Sequence, residues 1–157
     1  MLEIERKFLI IRPERSLLEN FAFSYIRQTY LLPNGRIRMR KYADKTVYTH
    51  TVKTSVTDIT RIETEREITA DEYESYLNNA DPAKQTVSKR RYIIPNNGRN
   101  FELDDFGKAY KHALLEIELE SEDGKFSIPD FITVVREVSN EHVYKNSVIA
   151  SKGFPDK

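Results

Sequence analysis

The chain of 157 residues is long enough for one domain with a substantial core and short for two. Its 25 Lys and Arg balance 25 Asp and Glu, which argues against a strongly basic nucleic-acid binder and against an acidic solvating tail. Cys is absent, removing disulfides, thiolate metal sites and Cys nucleophiles together, while 9 Tyr and 8 Phe argue against disorder.

Period-two alternation runs through most of the chain. The first strand-like run is Leu2–Ile11, and a short helical piece follows Pro13. Runs at Phe23–Leu32 and Arg36–Tyr42 flank Asn34-Gly35, where Gly supplies the positive φ that a tight hairpin requires. Thr46–Lys53 and Thr60–Ile68 follow, and Thr69-Ala-Asp-Glu72 then forms a capping-box pattern with Tyr73, Tyr76 and Leu77 at helical spacing. Thr86–Ile94 and Asn100–Phe106 flank Asn97-Gly98, and His112–Glu120 is the eighth run. A segment near Pro129–Val135 is expected to be helical. Eight strands, few helices and short turns predict a mainly β (α+β) fold, an eight-stranded antiparallel closed barrel with a few flanking helices, as a single domain over residues 1–157.

The polar positions of these runs sort by sign, which a solvated face does not require. Glu3, Glu5 and Lys7 share one face of the first run, opposite Ile4 and Phe8. Arg36, Arg38 and Arg40 project the same way, as do Lys89 and Arg91. Arg61, Glu63, Glu65 and Glu67 share a face, Glu102 pairs with Asp104, and Glu116, Glu118 and Glu120 alternate with Leu115, Ile117 and Leu119. Like charges at i and i+2 lie roughly 7 Å apart and repel. Turned into a barrel, acids and bases would form two clusters, and neither can be buried without a counter-charge. Hard divalent cations suit the carboxylates, and phosphate suits fork-shaped guanidiniums. A metal-bound polyphosphate satisfies both.

These elements resemble, in order, the CYTH domain, or triphosphate tunnel metalloenzyme, family. Glu3-Ile-Glu-Arg-Lys7 resembles its ExExK signature, Gln28-Thr-Tyr30-Leu its QxYL stretch, Arg38-Met-Arg40 its RxR pair and Thr51-Val-Lys53 its lysine strand. Arg61 to Ile68 resembles the acidic fifth strand, Lys89-Arg-Arg91-Tyr the KxRY element, and Glu102-Leu-Asp104 and Glu116-Ile-Glu118 the two closing acidic strands. Arg136-Glu-Val-Ser139 and Tyr144-Lys-Asn146-Ser resemble the C-terminal EVT and YxNS pieces, so the resemblance spans about residues 1–150.

The resemblance implies a tunnel enzyme dependent on Mg²⁺ or Mn²⁺ and a triphosphate-containing small molecule as substrate. Lys7, Arg38, Arg40, Lys53, Lys89 and Arg91 would bind phosphate, whereas Arg36 and Arg61, nearer strand ends, are expected at the periphery. Glu3, Glu5, Asp104, Glu116 and Glu118 would hold metal. Glu65 and Glu67 would act as outer contacts or general base, Tyr30 would donate to phosphate, and Lys152 would reach the tunnel from the C-terminal segment. His50, His112 and His142, isolated from one another, read as structural or surface residues.

The expected reaction is hydrolysis of inorganic triphosphate or a small triphosphorylated compound. Class IV adenylate cyclase, thiamine triphosphatase and a non-catalytic polyphosphate or nucleotide binder are the alternatives. The cyclase branch carries a His-Phe element ahead of ExExK, and only Met1 and Leu2 precede Glu3 here. No GxxxxGK[ST] loop or GxSxG elbow is present, which excludes a P-loop and leaves acyl transfer unsupported. No run approaches the ~18 apolar residues of a membrane span, and charges stand where a signal peptide would be apolar. The expectation is a cytoplasmic protein with no nucleic-acid or membrane partner, for which a homodimer is an option that no residue decides.

Overall fold

A computed structural model describes residues 2–155; Met1, Asp156 and Lys157, the ends of the expected domain, lie outside the described residues. The strands are β1 (Leu2–Ile11), β2 (Phe23–Tyr30), β3 (Arg36–Lys41), β4 (Thr46–Ser55), β5 (Thr60–Ile68), β6 (Val87–Asn96), β7 (Arg99–Asp105), β8 (His112–Glu118) and β9 (Val134–Glu137). Three short helices are α1 (Arg15–Leu18), α2 (Ala70–Tyr76) and α3 (Asn146–Lys152).

Neighbouring strands pair in the order β5-β4-β3-β2-β6-β7-β8-β1, and β1 returns to β5, so these eight close into an antiparallel barrel. Closure removes the exposed edges that an open sheet would offer. One edge of β1 is shared: Leu2, Glu3 and Ile4 pair with β5, whereas Phe8, Leu9 and Ile10 pair with the extra strand β9. Asn97 (φ 49°) and Gly98 (φ 79°) make the tight turn between β6 and β7, as the Asn-Gly signal predicts. Thr69 caps α2 reciprocally, its Oγ1 accepting from the Glu72 N–H at 3.1 Å while Glu72 Oε1 accepts from the Thr69 N–H at 3.0 Å.

Two expectations need correction. Val134 and Val135 lie in β9 and not in a helix; only one turn, Ile132 N–H to Pro129 C=O at 3.0 Å, is helix-like there. Strands β2 and β8 stop at Tyr30 and Glu118, two residues short of the expected ends.

The main apolar core lies outside the barrel. Ile4, Phe8 and Ile10 of β1, Tyr92 and Ile94, Phe101 and Leu103, and Leu115 and Ile117 point outward and are covered by Leu18, Phe126, Ile128, Phe131 and Ile132. On the opposite wall α2 packs Tyr73 against Ile37 and Ile68. Inside, one end is apolar, where Ile149, Ala150 and Phe154 pack with Leu9, Val87 and Leu114. The rest of the interior is polar.

Candidate functional site: a two-signed tunnel

Because side chains alternate across each strand, placing Ile4, Ile37, Tyr92 and Leu115 outward forces Glu3, Glu5, Arg36, Arg38, Arg91 and Glu116 inward. These meet in a cavity of about 200 Å³ lined by Glu3, Glu5, Glu63, Glu65, Glu102, Glu116 and Glu118 and by Arg36, Arg38, Arg40, Lys53 and Arg91. A second cavity of about 260 Å³ shares Glu5, Arg36, Lys53 and Asn146 with it and adds Lys7, Tyr30, Thr51, Arg61 and Lys145. The two form one bore.

The bases are held in two ways. Gln28, fully buried, accepts from Arg38 Nη2 at 3.1 Å and Nε at 3.3 Å. Burial and the neighbouring Arg36, Arg91 and Arg40 push the Arg38 guanidinium below its ordinary range, the signature of a cation lacking enough anion. Arg36 Nε and Arg40 Nε are buried without a hydrogen-bond partner. Behind them Asp104, wholly buried, accepts from Arg91 Nε at 2.7 Å and Nη2 at 2.9 Å and lies 2.7 Å from Lys89 Nζ. Burial alone would raise Asp104; Arg91 and Lys89 overcome it and hold the carboxyl well below the carboxylate range. Lys89 also donates to Asn146 Oδ1 at 3.1 Å, and Lys7 Nζ donates to the Tyr144 carbonyl at 3.0 Å.

The acids crowd one another. Burial, then Glu116, lifts Glu5 to about 7, although Arg61 Nη1 stands 3.1 Å from its Oε1. A hydrogen bond to Glu3 and burial lift Glu63 to about 7, and burial with Glu3 and Glu102 lifts Glu118. Glu3 is held down at about 2: burial is outweighed by the hydrogen bond from Glu63 and by Lys53, whose Nζ lies 3.0 Å away. Glu116 is also held at about 2, burial being outweighed chiefly by Lys7 3.5 Å away, yet its buried Oε1 makes no hydrogen bond.

Among the described residues no group of three or more His, Cys, Asp or Glu side chains is arranged to hold a metal ion; Lys53, Arg61 and Lys7 sit against the carboxylates. The donor chemistry nevertheless fits a hard cation. The carboxyls are oxygen donors, the hydrogen bond with Glu3 raises Glu63 and burial beside Glu3 raises Glu118, and Glu116 Oε1 is a buried acceptor without a hydrogen bond.

Of the expected site residues, Glu3, Glu5, Glu65, Glu116, Glu118, Arg38, Arg40, Lys53 and Arg91 line the first cavity and Lys7 and Tyr30 the second. Asp104 and Lys89 line neither, Glu67 is exposed and lines neither, and Lys152 is exposed away from both. Arg36 and Arg61, expected at the periphery, line the bore: Arg36 stands opposite Thr51 of β4 and Arg61 opposite Glu3 of β1, both tunnel-facing positions. Gln28, Thr51 and Asn146 are not singled out by charge sorting, which is blind to neutral polar groups, although all three stand inside quoted motifs. His50 stacks on Tyr76 with ring centroids 4.7 Å apart, a packing role.

The CYTH domain family matches the chain over residues 1–150. Among solved structures, the inorganic triphosphatase NE1496 is 28% identical, with TM-score 0.57 over 95% of this chain and 94% of that one. A conserved hypothetical protein from Pyrococcus furiosus is 22% identical, with TM-score 0.55 over 77% of this chain and 80% of its own. PH1012 from Pyrococcus horikoshii OT3, also 22% identical, has TM-score 0.53 over the same shares of the two chains, 77% and 80%. These last two are likenesses of fold. No curated protein matches the chain.

Proposed function

The chain belongs to the CYTH domain family, and from that premise we propose that it is a divalent-metal-dependent triphosphatase, hydrolysing inorganic triphosphate or a small triphosphorylated compound inside the tunnel. The observation that carries this reading is the meeting of five bases and seven carboxylates around one small cavity. A linear triphosphate with its counter-cation is the guest that answers both signs. The resemblance to the inorganic triphosphatase NE1496 over nearly the whole of both chains supports it.

In this proposal Arg36, Arg38, Arg40, Lys53 and Arg91 grip the phosphate oxygens, with Gln28 fixing the Arg38 fork. Lys7 and Tyr30 receive the far end of the chain in the second cavity. Asp104 serves as the buried counter-ion that orients Arg91 and Lys89 and opposes the burial that lowers Lys89 to about 7. Glu3, Glu5, Glu116 and Glu118 would hold Mg²⁺ or Mn²⁺, which supplies charge neutralisation and Lewis acidity when bound. Water attacks the terminal phosphorus, the bridging P–O bond breaks, and pyrophosphate leaves as orthophosphate forms. Glu65 takes the water proton; its Oε1 accepts from Thr51 Oγ1 at 3.1 Å, which fixes its direction.

Purified protein offered inorganic triphosphate, ATP and thiamine triphosphate with Mg²⁺ or Mn²⁺ tests the reading, with orthophosphate, pyrophosphate and cyclic AMP followed. Metal-dependent orthophosphate release is expected. Cyclic AMP with pyrophosphate from ATP would convert it to a cyclase, and tight binding without turnover to a binding module. Glu5→Gln and Glu118→Gln are expected to abolish turnover with the circular dichroism unchanged, and wild-type rates in both would remove the metal assignment.

A further inference from the structure

A second concentration of charge lies on the outside of the barrel, where neither the helices nor the 119–133 segment covers it. Residues paired across adjacent strands form one row on the outer wall: Lys41 opposite Tyr25, Tyr25 opposite Arg90, and Arg90 opposite Asp105. A groove of about 400 Å³ follows this row, bordered by Arg12, Arg15, Arg27, Lys41, Arg90 and Lys108, with Asp105 as its single carboxylate. Asp105 is already clamped by Arg12, at 2.8 and 3.0 Å, and by the Gly107 N–H at 2.9 Å. Among the described residues Arg15, Arg27, Lys41 and Lys108 have no ion-pair partner. Lys89 also borders the groove but is spent inward on Asp104; in a chain of zero net charge, the six outward cations against one spent acid constitute a one-signed patch. Net charge sums over the whole surface and does not register it.

The patch also presents rings. Phe23 and Tyr25, neighbours on the outer face of β2, are 42% and 48% exposed with ring centroids 5.6 Å apart. Arg90 sits 4.6 Å from both ring centroids and donates to the phenol oxygens of Tyr25 and Tyr92, so the platform is ordered before any ligand arrives. Cations on three adjacent strands, Lys41 of β3, Arg27 of β2 and Arg90 of β6, span about 10 Å at the usual strand spacing, more than one phosphate occupies, and Arg12, Arg15 and Lys108 extend the patch beyond them. An extended phosphate chain meets the cations; planar, unpaired bases meet the rings. A duplex keeps its base faces stacked inside, and a run of Asp and Glu side chains brings no ring to stack.

We propose that the outer wall of β2, β3 and β6 is a binding groove for single-stranded nucleic acid, distinct from the tunnel and independent of what the tunnel hydrolyses. Arg15, Arg27, Lys41 and Lys108 neutralise phosphates, and Tyr25 and Phe23 stack bases.

Fluorescence anisotropy with a hydroxyl-ended, labelled uridine 15-mer tests this on the full chain. A Kd below about 10 µM is expected at 50 mM salt. Four neutralised phosphates predict about 50-fold weaker binding at 200 mM. Arg27→Glu/Lys41→Glu is expected to weaken binding at least tenfold and flatten the salt slope, while triphosphate turnover, which uses neither residue, stays as in wild type and reports the fold. Tyr25→Leu is expected to weaken binding several-fold, and Arg38→Ala to leave it unchanged. Absence of binding at 50 mM salt overturns the proposal. So does loss of binding in Arg38→Ala, which would put the oligonucleotide in the tunnel. Competition by inorganic polyphosphate or polyglutamate as strong as by unlabelled RNA, with no effect of Tyr25→Leu, also overturns it, because bases would then contribute nothing.

Discussion

Asp104→Asn is the most informative single change, because it keeps the volume of the side chain while removing its charge and turning one of its two acceptor oxygens into an N–H donor facing the bases. The carboxylate is wholly buried and makes three close contacts with two cations, at 2.7, 2.7 and 2.9 Å. Removing one partner of a buried ion pair leaves the others uncompensated and costs about 3–5 kcal/mol. For a chain of 157 residues this corresponds to a fall in Tm of roughly 6–20 °C. Glu137→Gln is the matched control: it breaks the Arg6–Glu137 pair, 2.6 Å apart but open to solvent, and is expected to cost about 0–1 kcal/mol. The double variant Lys89→Gln/Asp104→Asn is expected to lose less than the sum of the two single changes, since the second removes a charge the first had stranded. The sign with pH is definite. Asp104 is held below its ordinary 3.8 in the folded chain, so its stabilisation is present above that value and is lost as pH falls through the acid range. Asp104→Asn therefore flattens the acid limb of stability. Urea and thermal unfolding followed by circular dichroism measure all of this, and an Asp104→Asn protein melting within about 2 °C of wild type at pH 7 would refute the buried-counter-ion argument.

Three further outcomes are expected. Glu5 and Glu63 are lifted from 4.5 to about 7, so without metal their contribution to stability is full below 4.5 and lost as pH rises through 7. Unfolding in EDTA at pH 5 and pH 8 should expose that loss, and Mg²⁺ should restore it at pH 8; equal stability at both values without metal counts against the crowding of these acids. Thr69→Ala removes the reciprocal cap of α2 and should cost about 1 kcal/mol in urea unfolding, leaving turnover intact. Gln28→Leu frees the Arg38 guanidinium at nearly constant volume and should raise KM for inorganic triphosphate with kcat little changed, a split that steady-state kinetics resolves.

The tunnel was legible in the sequence because one alternation encodes two things at once. Ile37 and Met39 between Arg36, Arg38 and Arg40, or Leu115 and Ile117 alternating with Glu116 and Glu118, specify both a strand and the face that meets the core. The Asn97-Gly98 turn and the Thr69 cap were legible because their chemistry is local. Strand β9 was not: four residues, all exposed, carry no period, and their pairing with Phe8–Ile10 shifts register at Leu9/Ile10. The engagement of Asp104 with Lys89 and Arg91 was also hidden. Its spacing from Glu102 is that of a metal ligand, and only the register of Asp104 with Arg91 across β6 and β7 turns it toward the bases.

The greasy layer of this protein forms a rind around a wet hub, the reverse of an ordinary small barrel. Alternate residues of one strand thus serve separate masters: Ile4, Phe8, Leu103 and Leu115 build the apolar layer, while neighbours such as Glu3, Glu5, Glu102 and Glu116 line the bore and, in the proposed function, meet the guest. Drift in what the hub accepts can proceed at those neighbours without loosening the rind, except at nodes such as Asp104 where an acid anchors two bases. Such a scaffold can change its clientele while keeping its walls.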